Sequence, residues 1–429
     1  MSDTQPILAA VLSRRAQWAG REPIATALMA RAIAQPELIS LAAGFVDPAT
    51  LPVELTQRAL EAVWSDPQHA RAALQYGTTL GHAGLRESLL NRMAAADGCT
   101  AAEIHARPDD VILTTGSNEL LFLVSEVLLD PGDIVITASP SYYVYLGTLA
   151  TLGARVYGAE IDEEGIVPEA VEDRLRQLEI EGELGRVKAI YVTTYSDNPT
   201  GLTLSIERRA ALLEIAQRWS KHGRIYVIED AAYRDLRYFG DDVPSLRSLD
   251  RHGHTVIHAG TFSKSFSPGV RVGWGILPRN LIGAVTSSKG NIDFGSPCLN
   301  QHLMAAVVEL GMWDEHIARL RSNYRAKLAV TLAAAEEHLG SIAGVHWRAP
   351  QGGLYLWLDL PPSVDAGLHG PLFDQALVEG VLYIPGECCY PTDGAPVCRN
   401  TLRLSFGIPT AADLERGVEA LARAIRYVT

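Results

Sequence analysis

Between about residues 110 and 277, short apolar runs rich in β-branched residues alternate with stretches of helical length. The runs are VILT at 111–114, DIVITA at 133–138, ARVYGAEI at 154–161, KAIYVTT at 188–194, RIYVIED at 224–230 and TVIHAG at 255–260. Runs this continuous, separated by helix-length segments, predict buried and mostly parallel strands of an α/β sheet. Ligands of such sheets sit beyond the carboxyl ends of the strands. The loops after these runs are therefore where chemistry is sought.

Beyond about residue 298 the texture changes to a long helical region, CLNQHLMAAVVEL through YRAKLAVTLAAAEEHL. In GGLYLWLDL, Leu354, Leu356, Leu358 and Leu360 alternate with Tyr355, Trp357 and Asp359, the period of a half-buried strand. A last helix is predicted to open on the capping pair Thr410 and Asp413 and to carry Leu414, Val418, Leu421 and Ile425 at helical spacing. This pattern implies a smaller α+β unit. The chain shows no internal repeat or low-complexity tract.

Composition narrows the class. At 429 residues, 47% hydrophobic and 20% charged, the chain can bury a large core without disulfides or metals, and two domains are expected. A formal charge of −13 argues against a general partner role with nucleic acid or anionic membranes. The five cysteines, Cys99, Cys298, Cys388, Cys389 and Cys398, form no C-x-x-C pair, which fits a reducing compartment. Asp3 precedes the short apolar run PILAAVL and Arg14 and Arg15 follow it, the reverse of a secretory signal. No uncharged apolar stretch reaches the roughly 20 residues of a membrane span, so a cytoplasmic location is expected.

The strand-end loops hold a set of polar groups. RIYVIED ends in Asp230, with Tyr233 shortly after. Taken alone, Asp230 reads as a helix cap; otherwise it is a buried carboxylate facing a cation in a cleft. Lys264 lies among hydroxyls in GTFSKSFSPGVRVGW, with Arg271 further along the same loop, and each alone reads as a solvated surface residue. In TTGSN, Gly116, Ser117 and Asn118 open a helix with hydroxyl, amide and backbone N–H groups, either an ordinary cap or a phosphate cradle. Tyr142 follows DIVITA and Asn198 follows KAIYVTT, each in a turn-forming Ser-Pro or Asn-Pro context. Together the loops supply a phosphate cradle, an aromatic plate, an amide, a carboxylate, a lysine and an arginine. That inventory matches pyridoxal phosphate: the lysine forms an imine and the carboxylate keeps the ring nitrogen protonated. Tyr142 would stack on the ring, Asn198 and Tyr233 would hydrogen-bond its phenolic oxygen, and Arg271 would fork onto the phosphate.

These residues resemble the class I/II aminotransferases of the fold-type-I pyridoxal-phosphate enzymes. The resemblance runs from LISLAAG at 38–44 through QYGTTLGHAGLRESL at 75–89, SDNPTG, EDAAY and SKSFSPGVRVGW to NTLRLSFG at 400–407. The ending IPGECCYPTDGAPVCRNTLRLSFG is most similar to the branch of kynurenine and 2-aminoadipate aminotransferases. The resemblance implies a large domain with a mostly parallel, seven-stranded-type sheet flanked by helices, over residues 46–299. It also implies a small α+β domain built from residues 1–45 and 300–429.

Carried over by position, Lys264 forms the aldimine with pyridoxal 5'-phosphate and acts as the base, and Asp230 pairs with the pyridinium. Ser117, Asn118, Thr261, Ser263 and Arg271 hold the phosphate, with Tyr142, Asn198 and Tyr233 around the ring. Arg403 binds the substrate carboxylate beside Gly44, and Asn198 also faces the substrate. Tyr76 reaches the cofactor of the neighbouring subunit, which implies a homodimer with shared active sites. The activity implied is transfer of an amino group from an amino acid to a 2-oxo acid such as 2-oxoglutarate.

The sequence also departs from that branch. Asn118 stands where relatives usually have Gln, Thr261 where Ser is commoner, and Asp197 where Gln is frequent. Asp197 is expected near the substrate pocket, where it would disfavour acidic side chains. Arg21 and Arg31 either touch substrate or are solvated helix residues. The rivals are a β-eliminating lyase on the same scaffold, a hydrolase built on Ser263 and Lys264, and a transcription regulator. For the last, residues 1–37 before LISLAAG are too few to hold a winged helix and linker.

Overall fold

A computed structural model describes residues 11–18, 27–28, 30–31 and 34–429. Each expected apolar run forms a strand: β1 (Val111–Thr114), β2 (Ile134–Ala138), β3 (Arg155–Ala159), β4 (Val187–Thr193), β5 (Tyr226–Asp230) and β6 (Val256–Thr261). A further strand, β7 (Gly273–Ile276), lies inside what reads in sequence as the end of a loop. The seven form one sheet in the order β1-β7-β6-β5-β4-β2-β3, parallel except for β7, which runs against both its neighbours.

Strand β7 escapes the pattern because two of its positions are glycines, which weaken strand propensity. Packing demands them here. A Cβ at Gly273 would lie 2.5 Å from the Ser117 nitrogen, and one at Gly275 would lie 2.6 Å from the Leu120 side chain. Helix α1 (Ser117–Leu128) thus presses directly on β7.

Both faces of the sheet are covered. Ile112, Val135, Ile228 and Ile257 pack with Leu120 and Val124 of α1 on one side. Ile134, Ile136, Ile190 and Val227 face α2 (Pro168–Ile180) and α3 (Ile206–Trp219) on the other. Neighbouring residues of one strand, such as Ile134 and Val135, enter opposite cores, as the two-residue strand period requires.

The second sheet contains β8 (His346–Trp347), β9 (Tyr355–Asp359), β10 (Ile384–Pro385) and β11 (Thr401–Ser405), antiparallel in the order β8-β9-β11-β10. It shares a core with α4 (Met312–Leu339) and α5 (Ala411–Val428). Helix α5 opens as predicted, with the Thr410 hydroxyl accepting from the Asp413 N–H at 3.2 Å, and Leu414, Val418, Leu421 and Ile425 are buried. The N-terminal segment joins this unit. Ile39–Ser40 pairs in parallel with Val381–Leu382, and the Leu41 carbonyl accepts from the Ser405 N–H at 2.7 Å. Helix Cys298–Glu309 instead packs with Leu55, Leu89 and Phe262.

Strand β9 differs from the half-buried expectation. Leu356 and Leu358 are fully buried, but Tyr355 and Trp357 on the other face are 2% and 4% exposed. The alternation separates two interiors, an aliphatic core and a polar aromatic layer, rather than core from solvent. No helix among the described residues is long and apolar enough to cross a membrane.

Candidate active site

Strands β1, β2, β4, β5 and β6 end at one edge of the sheet, and the antiparallel β7 begins there, with Gly273 opposite both Thr114 and Thr261. That reversal brings Arg271, two residues before β7, to the same edge as the loops after the parallel strands. A cleft of about 240 Å³ opens there. Ser117, Asn118, Tyr142, Asn198 and Asp230 line it, as do Tyr233, Thr261, Ser263, Lys264 and Arg271. A larger cavity of about 330 Å³, walled by Arg92, Trp274 and Trp313, shares Thr261 with the cleft but contains neither Lys264 nor Asp230.

The base of the cleft is acidic. Asp230 ends β5 and is 4% exposed; its Oδ2 accepts from the Tyr191 hydroxyl at 3.0 Å and its Oδ1 from the Ala232 N–H at 3.1 Å. The second bond is the local turn that the capping reading anticipates. It occupies only one oxygen. Burial raises the Asp230 carboxyl above the usual range, against the Tyr191 and Ala232 hydrogen bonds. No ion pair reaches Asp230 among the described residues. Its neighbour Glu229, on the opposite face of β5, is the contrast: burial pushes it up, but His258 at 2.9 Å, Arg209 at 3.9 Å and the Leu246 N–H bring it down to about 2.

Lys264 stands across the cleft, half-buried, with Nζ donating to the Gly44 carbonyl at 2.7 Å. Burial lowers its amine below the usual lysine value; Tyr355 opposes this, while Arg403 and Arg271 reinforce it. A Cβ at Gly44 would collide with the Tyr355 hydroxyl, so glycine is what lets this backbone approach.

At the other end of the cleft Gly116, at φ 79°, caps α1 without a side-chain hydrogen bond. The first N–H groups of the helix therefore face outward at the positive end of its dipole. A Cβ on Gly116 would run into the Arg271 guanidinium. Arg271, itself left-handed at φ 49°, donates to the Thr115 carbonyl at 3.2 Å and to the Ser263 hydroxyl at 3.4 Å. The Ser263 N–H donates to Thr261 Oγ1 at 3.1 Å. Arg271 makes no ion pair among the described residues, so a guanidinium, two hydroxyls and a helix terminus converge on one spot. The Tyr142 hydroxyl donates to Asn118 Oδ1 at 3.4 Å.

Arg403 lies on β11, an inner strand of its sheet, and is fully buried. Strands β9 and β10 pair with its two sides, so neither flank is an open edge. Nη1 donates to Asn198 Oδ1 and Nη2 to the Ala42 carbonyl, both at 2.7 Å; among the described residues Nε has no partner. Since a guanidinium only donates, it holds Asn198 with its oxygen toward Arg403 and leaves the amide NH₂ for the cleft.

One expectation, that of Asp197, is not met at this cleft. Asp197 turns away: its Oδ2 accepts from the Thr200 hydroxyl at 2.8 Å, it faces a separate small cavity with Thr193 and Ser141, and burial raises it to about 6. A carboxylate in the turn of SDNPTG finds its nearest donors in that turn. Tyr76 is 82% exposed and packs edge-on against Phe294, outside the cleft of its own chain. Arg31 is exposed and lies 5.9 Å from the Phe373 ring, whereas Arg21 is outside the described residues.

Tyr191 and Tyr355 were missed. Tyr191 sits inside a strand run, where an aromatic reads as core, and Tyr355 carries only the alternation signal of β9.

The groups present fit a phosphorylated pyridine aldehyde: an amine of lowered basicity, a buried carboxylate without a cation, and an anion cradle. Fold and cleft thus define a fold-type-I pyridoxal-phosphate transferase. The sequence matches the family model for aminotransferase class I and II over residues 33–421. It is 32% identical to the aromatic-amino-acid aminotransferase 1 of Thermococcus litoralis, spanning 91% of this chain and 88% of that one. Identity to the 2-aminoadipate transaminase of Thermus thermophilus is also 32%, spanning 91% of each chain. The crystal structure of Pyrococcus horikoshii kynurenine aminotransferase, in complex with PMP and its substrates, matches with a TM-score of 0.87 and 31% identity over 97% of each chain. The chain belongs to the class I and II aminotransferases; it is an enzyme that transfers the amino group of amino acids with pyridoxal 5'-phosphate.

Proposed function

We propose that Lys264 binds the cofactor aldehyde and serves as the proton-moving base, with 2-oxoglutarate as the acceptor oxo acid. The observation that carries this is the pairing in one cleft of the Lys264 amine with a buried Asp230 that meets no cation among the described residues. The cofactor, when bound, supplies an electron-withdrawing ring that stabilises negative charge at the substrate α-carbon.

The protein residues do the rest. Asp230 would hold a proton on the ring nitrogen by offering it a buried anionic partner, which offsets the cost of burying both. Lys264 must be neutral to take a proton, and burial favours that state. Ser117, Asn118, Thr261, Ser263 and Arg271 hold the phosphate, and Tyr142 covers one ring face. Asn198 and Tyr233 donate to the phenolic oxygen. Arg403 forks onto the substrate carboxylate beside Gly44, its unpartnered Nε being one donor for it.

The chain divides into a large cofactor-binding domain over residues 46–299 and a small domain from residues 1–45 and 300–429, with helix Cys298–Glu309 lying against the large one. Two chains form a homodimer in the cytoplasm, each lending Tyr76 to the other's cleft. The exposure of Tyr76 and Phe294, 82% and 61%, supports such a face. The donor class follows the relatives, which act on aromatic amino acids, kynurenine and 2-aminoadipate. Visible absorption of the loaded protein tests the reaction during addition of amino donors. Conversion to the pyridoxamine form with one of them is expected; a band that converts with none rejects it.

A further inference from the structure

Tyr355 does not line the cleft, yet it touches three groups that do its work. Its hydroxyl is 2.9 Å from that of Tyr233, and the two rings meet edge to face at 5.7 Å and 78°. The Arg403 guanidinium lies over its ring at 4.2 Å. Its oxygen presses so closely on the Gly44 backbone, which anchors Lys264, that no Cβ fits between them.

The direction of the Tyr233–Tyr355 hydrogen bond follows from burial. Tyr355 is 2% exposed, and among the described residues its hydroxyl has a single hydrogen-bond partner, the Tyr233 oxygen. A buried hydroxyl proton needs an acceptor, so Tyr355 donates and Tyr233 accepts. Tyr233, on the cleft wall, must then turn its own proton to an acceptor within the cleft. Without the Tyr355 hydroxyl, the Tyr233 proton is free to rotate away.

We infer that Tyr355 is a positioning residue: it holds the Tyr233 hydroxyl as an obligate donor to the cofactor's phenolic oxygen, while its ring backs the Arg403 guanidinium. This rests on the site reading above. A donor to that oxygen favours its ionised form, so weakening the donor raises the pH at which the loaded protein's visible band titrates.

The test is that titration on wild type, Tyr355→Phe, Tyr233→Phe and the double variant. Tyr355→Phe keeps the ring against Arg403 and is expected to raise the midpoint by about half a pH unit, the scale of one neutral hydrogen bond. Tyr233→Phe should raise it further, and the double variant should match Tyr233→Phe, because Tyr355 acts through Tyr233. A Tyr355→Phe midpoint equal to wild type, or shifts that add in the double variant, overturns the assignment and leaves the site reading standing. A wild-type protein that acquires no titrating band with pyridoxal 5'-phosphate overturns the site reading and this inference with it.

Discussion

Arg403 and Asn198 form a buried pair, Nη1 to Oδ1 at 2.7 Å, that crosses from the four-stranded sheet to the loop after β4. The bond fixes both the fork of the guanidinium and the orientation of the amide. Arg403→Lys replaces a planar fork by a point charge that cannot serve Asn198, Ala42 and a carboxylate together. The variant should fold but lose roughly 30- to 1,000-fold in kcat/KM for amino acids, the effect of breaking a buried charge pair. Steady-state kinetics beside far-UV circular dichroism would show it, and an unchanged kcat/KM would refute the role.

Asp230→Asn should separate activity from stability. The native carboxyl is raised by burial, so its contribution to stability is present below the unfolded pKa and is lost as pH rises through the folded one. At neutral pH, cofactor-free Asp230→Asn is therefore expected to melt no lower than wild type. The loaded variant should turn over on the order of 100-fold more slowly, since the ring nitrogen loses its anion. Thermal melts and kcat on the same preparation check both signs.

Much of this architecture was legible beforehand because continuous apolar runs leave little choice but a buried parallel sheet. Asp230, Lys264 and Asn198 follow such runs, and their shared edge is a consequence of parallel strands. Arg271 was legible as a loop residue, but its arrival at that edge depends on β7 reversing, and Gly273 and Gly275 hide that strand. Tyr355 and Tyr191 were silent because an aromatic in a strand signals burial without saying which interior it enters. Asp197 misled because neighbours in a tight turn point in different directions, which sequence adjacency to Asn198 conceals.

Gly116→Ala tests the anion cradle. An L side chain at φ 79°, ψ 163° costs about 1–3 kcal/mol, and its Cβ would displace the Arg271 guanidinium. That strain lowers stability with or without cofactor, while the displaced guanidinium loses its place at the phosphate, so affinity for pyridoxal 5'-phosphate is expected to fall about tenfold or more with the protein still folded. Equilibrium dialysis measures it; retained wild-type affinity would place the phosphate elsewhere.

Asp197→Asn gives a pH signature. Burial pushes the folded carboxyl up to about 6 from its ordinary 3.8, so wild type loses stability as pH rises through that window. Asn keeps the acceptor for Thr200 and carries no charge, so the variant should gain on the order of 1 kcal/mol over wild type above pH 6, after solvent screening, and nothing at pH 3. Its kcat should be unchanged, because the side chain faces away from the cleft. Urea unfolding at several pH values decides the matter.

The shared-site proposal can be tested by mixing two defective chains, Lys264→Ala and Tyr76→Ala. Each homodimer should be impaired, the first abolished and the second weakened. If Tyr76 serves the partner's cleft, a mixed dimer has one site with both defects and one with neither. Random reassortment makes half the dimers mixed, so reassorted protein should regain about a quarter of wild-type sites. If Tyr76 served its own chain, both sites of the mixed dimer would stay defective and activity would only average. Single-turnover titration of active sites before and after reassortment separates the two outcomes, and its dependence on protein concentration reports whether the dimer forms.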